Sequence, residues 1–132
     1  MTKNEIAEHR ERKVSLIADT AALEKLRTHL AECKLHANTE PHLQPLIEGL
    51  EDEIADMEVT IQKRTKELKD HENSVRIALK AMSDRTGRVA ASLHYCNGLS
   101  WAEVGSILHM SEAAIKSRVY RALIGAGILW EK

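Results

Sequence analysis

Tyr95–Leu123 reads YCNGLSWAEVGSILHMSEAAIKSRVYRAL, two short helical patterns on either side of a two-residue break. Ser100 precedes the first pattern and Glu103 follows it by three residues, the spacing at which a hydroxyl and a carboxylate reciprocally satisfy a helix's first free amides. Trp101, Val104 and Leu108 then share one face. His109 and Met110 form the break, and Ser111 is placed to cap a second helix with Ile115, Val119 and Ala122 inward. Upstream, Asp84 is placed to cap a helix running through Val89, Leu93 and Cys96. Asn97 and Gly98 close it, glycine being suited to the left-handed conformation that ends helices. Residues 83–132 are therefore expected to fold as three short helices joined by tight turns.

Working outward, Ile47, Leu50, Ile54, Met57, Ile61, Arg64, Leu68, His71, Val75, Ala78 and Met82 recur three and four residues apart. Such a heptad predicts one helix over about residues 46–82. At 1.5 Å per residue it would span on the order of 55 Å, too long to bury its stripe within a small globule. Its partner is either the helix expected over about residues 3–36 or a second copy of the chain. That first helix opens with Thr2 and Glu5 at capping-box spacing and carries Leu16, Leu23 and Leu30, with Leu26 and Cys33 completing the stripe. The stripe weakens toward the N-terminus, where His9 and Arg12 fall on it, so fraying or exposure is expected there. Asn38, Thr39, Pro41 and Pro45 interrupt the helical pattern and predict a connection over about residues 37–45. Arg64 and His71 are polar seam residues. They either fix register or, as preferred here, rest an apolar stem or ring on a partly open seam.

The fold class expected is thus all-α: an N-terminal helical hairpin or coiled coil over residues 1–82, then a three-helix domain over residues 83–132. Composition agrees, because the chain of 132 residues has no Phe and its two Trp and two Tyr all follow residue 94. The aromatic payload of a compact core therefore sits in the C-terminal part. Net charge is −1, which excludes a uniformly basic coat for nucleic acid. Lys and Arg number 13 against 16 acidic residues over 1–83, but 6 against 4 over 84–132. Two widely separated cysteines and the lack of any long apolar run lead to the expectation of a cytoplasmic protein with free thiols and no membrane partner.

The stretch Tyr95–Leu123 resembles the helix-turn-helix of region 4 of bacterial sigma factors. The resemblance rests on the Gly-Leu-Ser opening, the Trp-Ala-Glu-Val helix start, the Ser-Glu cap and the Lys-Ser-Arg-Val-Tyr-Arg-Ala run from Lys116. Gly105 stands where Ala is usual and His109 where Gly is usual, so a small residue is kept but His109 must accept an unusual turn conformation. Residues 1–83 hold no Phe, Tyr or Trp, and the chain is not read as a complete sigma factor, which needs an aromatic-rich promoter-melting domain. A coil followed by such a module is similar to small phage and prophage regulators of the ArpU and RinA kind.

The resemblance implies that the second helix enters the DNA major groove with its N-terminal half toward the base edges. With Ile115, Val119 and Ala122 inward, helical projection sets Ala113, Ser117 and Tyr120 outward, flanked by Glu112, Lys116 and Arg121. The expected DNA-binding residues are Ser111, Glu112, Ala113, Lys116, Ser117, Arg118, Tyr120 and Arg121. Lys116 and Ser117 are the base-edge candidates, Glu112 can accept from cytosine, and Arg118 and Arg121 suit phosphates.

No glycine-rich phosphate loop, nucleophile elbow or convincing carboxylate pair is present, so neither catalysis nor a cofactor is expected. His29, Cys33 and His36 share a helical face near His42, but Cys33 belongs to the apolar seam and paired Cys-x-x-Cys spacing is missing; no metal is expected there. The apolar tail Ile124–Trp130 is expected to fold back, anchored by Trp130. Three functions stay open: a transcription regulator that reads DNA and self-associates through the coil, an interaction module that meets RNA polymerase or a regulator, and a phage DNA-packaging subunit.

Overall fold

The computed structural model describes residues 1–128, which form α1 (Lys3–His36), α2 (Leu43–Lys80), α3 (Arg85–Ala91), α4 (Trp101–Leu108) and α5 (Glu112–Gly125). No strand occurs among the described residues. The all-α expectation holds. Both long helices are unbroken, and α2 runs through Arg64 without interruption. Pro45 lies inside the first turn of α2 rather than in the connection. The first amides of a helix have no intrahelical acceptor, so a proline there forfeits no hydrogen bond.

The chain divides into two compact units, residues 15–66 and residues 1–14 together with 67–132. The first is an antiparallel helical hairpin. Its direction is read from cross-pairs: Arg64 pairs with Asp19, Arg27 with Glu58 at 2.8 Å and Lys34 with Glu51 at 3.7 Å, so positions on α2 fall as those on α1 rise. The partner of this part of α2 is therefore the chain's own first helix. Leu16, Leu23, Ile47 and Ile54 are buried along the seam, with Leu26, Leu30, Cys33, Leu50, Met57 and Ile61 half-buried. Removal of this apolar area from water holds the pair together, while the exposed ion pairs contribute direction more than stability. The Arg64 head is not left to water: besides Asp19 it donates to Ser15 Oγ at 2.9 Å.

The second unit is built around one apolar cluster that joins Ile6 of α1 and Val75, Leu79 and Met82 to Tyr95, Cys96, Val104, Ile115, Val119, Leu123 and Ile128. The end of the heptad near residue 82 falls inside this unit, because the last seam residues pack into the same core as the short helices. The expectation of a frayed N-terminus is corrected here. Ile6 and His9 are both 0% exposed. Thr2 Oγ1 accepts from the Glu5 amide at 3.2 Å, and Arg10 Nη2 donates to the carbonyls of Gly98 and Leu99, each at 3.4 Å. His71, across the seam, meets His9 with 2.9 Å between their Nδ1 atoms.

α3 does not end as an ordinary helix. Ser92–Cys96 continues it as a π turn, in which the Asn97 amide donates five residues back to Ser92 at 3.2 Å; beyond the turn the Leu99 amide donates to the Leu93 carbonyl at 3.2 Å. Gly87, Ala90, Ala91, His94, Tyr95 and Cys96 go inward, whereas Val89 is 42% exposed. Of the residues through which the sequence traced this helix, Cys96 is buried, Leu93 half-buried and Val89 exposed, because the buried face follows Gly87, Ala90, Ala91, His94 and Tyr95 at helical spacing. At the far end, Gly127 at φ 77° turns the chain, its amide bonded to Ile124 and that of Ile128 to Leu123, a Schellman closure that puts Ile128 into the core. The tail thus folds back through Ile128; Trp130 lies outside the described residues.

Candidate nucleic-acid interface

The start of α4, the turn after it and the start of α5 are each fixed by local contacts. Ser100 Oγ accepts from the Glu103 amide and Glu103 Oε1 from the Ser100 amide, both at 3.1 Å, completing the capping box. His109 ends α4 in the left-handed region at φ 56°, ψ 43°, as the sequence required of it. Ser111 Oγ accepts from the Ala114 amide at 3.2 Å and starts α5. Gly105 does more than spare room for a neighbouring helix. A Cβ there would lie 2.5 Å from the Met110 carbonyl oxygen, so the turn backbone itself passes over the glycine.

Beneath the turn, Ile115, Val119 and Leu123 anchor α5 at 0% exposure. Leu123 takes the third inward place that helical projection gave to Ala122, which is half-buried against Gly87 of α3. A Cβ on Gly87 would meet that of Ala122 at 3.0 Å, so glycine lets α3 and α5 approach closely. His94 stacks on Trp101 with ring centroids 3.6 Å apart and bonds through Nδ1 to the Leu99 carbonyl at 2.7 Å. Burial, with Arg10 next, depresses the His94 imidazole to about 4, so it is neutral at physiological pH.

The sequence-derived site residues separate into two groups. Glu112, Ala113, Ser117 and Arg121 are exposed on the outer side of α5, with Lys116 half-buried beside them. Ser111 is exposed too, but its hydroxyl is engaged as the cap. Lys116 Nζ lies 3.3 Å from Glu112 Oε1, and Arg121 Nε donates to the Ser117 carbonyl at 3.3 Å. These are local contacts along one helix, weak enough to be exchanged for a ligand.

Arg118 and Tyr120 are placed differently. Arg118 donates from Nε and Nη2 to the two carboxylate oxygens of Asp84, at 2.7 and 3.2 Å. Arg118, helped by the nearby amides of Gly87 and Thr86, holds the Asp84 carboxyl below its usual range. Asp84 occupies the cap position of α3, yet no cap hydrogen bond closes because its carboxylate turns to Arg118. Tyr120, expected outward, is half-buried against the core, with its ring edge-on to Trp101 and Lys3 Nζ 5.4 Å from its centroid. The Lys3 and Arg10 contacts had no local signal in sequence, since both side chains come from the far end of the chain.

Two capped helices, a tight left-handed turn and an outer face on the second helix define a helix-turn-helix, a class of DNA-binding module. Residues 88–124 match the family model described as sigma-70, region 4, from the fourth residue of α3 to the penultimate residue of α5. No curated protein and no solved structure matches the chain. No helix among the described residues is long and apolar enough to cross a membrane.

Proposed function

We propose that the chain is a DNA-binding transcription regulator that reads the major groove with α5. The observation that carries this reading is the outer face of α5 within the region-4-like segment, where Glu112, Ala113, Ser117 and Arg121 stand exposed around Lys116. Lys116, released from Glu112, can donate to guanine O6 and N7, and Ser117 can meet several bases. Arg121 suits a phosphate at the groove rim. Arg118 has two of its donors on Asp84, so a phosphate role for it requires Nη1 or rupture of that pair. It acts first as a clamp between α5 and the start of α3.

The layout, long helices ahead of a region-4-like module, supports a regulator of the phage or prophage ArpU and RinA kind acting in the cytoplasm. Self-association through the long helices would give such a reader two half-sites. Several apolar side chains stay exposed on them, among them Ile17, Leu35, Val59 and Ile77, at 50, 80, 68 and 69%. The test is selection of bound fragments from the source genome. Enrichment of a promoter-proximal site supports the reading. Absence of enrichment, with RNA polymerase retained by the immobilised protein, would replace it by the interaction-module reading. Enrichment at a phage packaging site would favour the packaging subunit.

A further inference from the structure

Where the start of α1, the last third of α2 and the π turn meet, three metal-ligating side chains converge that are far apart in sequence. A ring nitrogen of His9, a carboxylate oxygen of Glu72 and the Cys96 sulfur all lie within 4.8 Å of one another. His9 and Cys96 are each 0% exposed. We propose that His9, Glu72 and Cys96 bind a divalent transition-metal ion of the zinc class, which ties the N-terminal helix to the helix-turn-helix core.

The state of His9 is the second, independent observation. Its Nδ1 faces Nδ1 of His71 at 2.9 Å, while its Nε2 is buried with no hydrogen-bond partner. Two facing ring nitrogens need one proton between them. When His9 supplies it, Nε2 keeps a lone pair turned to no protein donor, which is the tautomer a metal takes. His71 then does for His9 what outer partners do for ligating histidines: it holds the ring and its tautomer by accepting the other N–H. Burial, with His71 next, lowers the His9 pKa, so the ring is available as a neutral ligand.

The donor set selects the ion. One thiolate, one imidazole and one carboxylate suit zinc-like cations and not magnesium or calcium, which take oxygen ligands. In a tetrahedral site the donor atoms stand about 3.3–3.7 Å apart, so the side chains need close only modestly from their present spacing. The thiolate and carboxylate neutralise the ion's two charges. Glu72 also pairs with Arg76 at 3.4 Å, but its second oxygen stays available. Three protein ligands leave a fourth position for water. His29, Cys33 and His36 do not compare: the two histidines are exposed and no buried nitrogen there lacks a partner.

Cobalt(II) titration of the full-length protein, reduced by a non-thiol reductant, tests the site. The chain has two cysteines, so in Cys33→Ser every sulfur-to-cobalt signal must come from Cys96. We expect this variant and the wild type alike to take up one cobalt per chain, with thiolate charge-transfer absorption that zinc abolishes. His9→Gln and Glu72→Gln should each weaken cobalt binding by at least about 10-fold, and His71→Phe by about 10-fold. Circular dichroism confirms that each variant is folded. A folded Cys33→Ser protein without the charge-transfer band overturns the proposal. So does a folded His9→Gln protein that binds cobalt as tightly as the wild type.

Discussion

Arg118 grips Asp84 through two hydrogen bonds, so the most geometrically specific cation of α5 is turned toward the protein and not toward its outer face. The pair joins α5 to the cap residue of α3. Replacing Asp84 by Asn should lower thermal stability and release the guanidinium. A freed Arg118 can neutralise a phosphate, and the slope of log K against log salt should steepen by about one unit. An unchanged slope, measured by anisotropy with a duplex probe, would place Arg118 away from the DNA.

Lys116 and Arg121 should fail in different ways when replaced by Ala. Loss of a base contact at Lys116 should cost about 1–3 kcal/mol and relax preference at one base pair. Loss of a phosphate contact at Arg121 should weaken all sequences alike and reduce the salt slope by about one unit. Anisotropy with matched and scrambled duplexes over a salt series distinguishes the two. If neither variant binds more weakly while both stay folded, the outer face of α5 is not a DNA-reading surface.

Gly105 and His109 bracket the turn and should respond with opposite signs. Gly105→Ala places a methyl group against the Met110 carbonyl and should destabilise by about 1–3 kcal/mol. His109→Gly relieves a left-handed conformation and should stabilise by a few tenths to about 1 kcal/mol. Urea unfolding of the two variants checks the signs.

Stability should fall with acid because of His94. Its folded pKa, about 4, lies below the unfolded value of 6.5, so the unfolded chain binds the extra proton first. The contribution is complete above pH 6.5, shrinks as pH falls from there, and is lost by about pH 4. His9, also lowered, acts in the same direction. Urea midpoints between pH 7.5 and 4 should decline, and His94→Gln should flatten the decline; a parallel curve for that variant would contradict the assignment.

Ile6 should matter to a domain that begins more than sixty residues later. It is fully buried in the helix-turn-helix core, so Ile6→Ala should cost about 2–5 kcal/mol. Protease cleavage within α4 and α5 should speed up correspondingly. Cleavage confined to the first turns of α1 would show that this helix end packs independently.

Periodic features were legible from sequence because they depend on neighbours. All eleven seam positions from Ile47 to Met82 are buried or half-buried, and Ser100, His109 and Ser111 occupy the cap and turn positions their residue types indicated. Contacts between distant segments were not legible. His9 and His71 are 62 positions apart, Arg10 and Leu99 are 89 apart, and Arg118 and Asp84 are 34 apart, so no window of helical spacing contains either pair member with its partner. The π turn was hidden for another reason. One additional residue in a turn leaves the composition of the helix unchanged, so no residue type announces it.

The place of Ile6 in the same core as Leu123 also governs how the protein is made. Synthesis delivers Ile6 long before Leu123, so the core cannot close until α5 has emerged. Until then the nascent segment carries the uncovered side chains of Ile6, Val75 and Leu79, a form prone to aggregate and dependent on chaperones. The helix-turn-helix therefore closes only once α5 has been made, and a truncated translation product that stops before α5 is one the cell's proteases will find open.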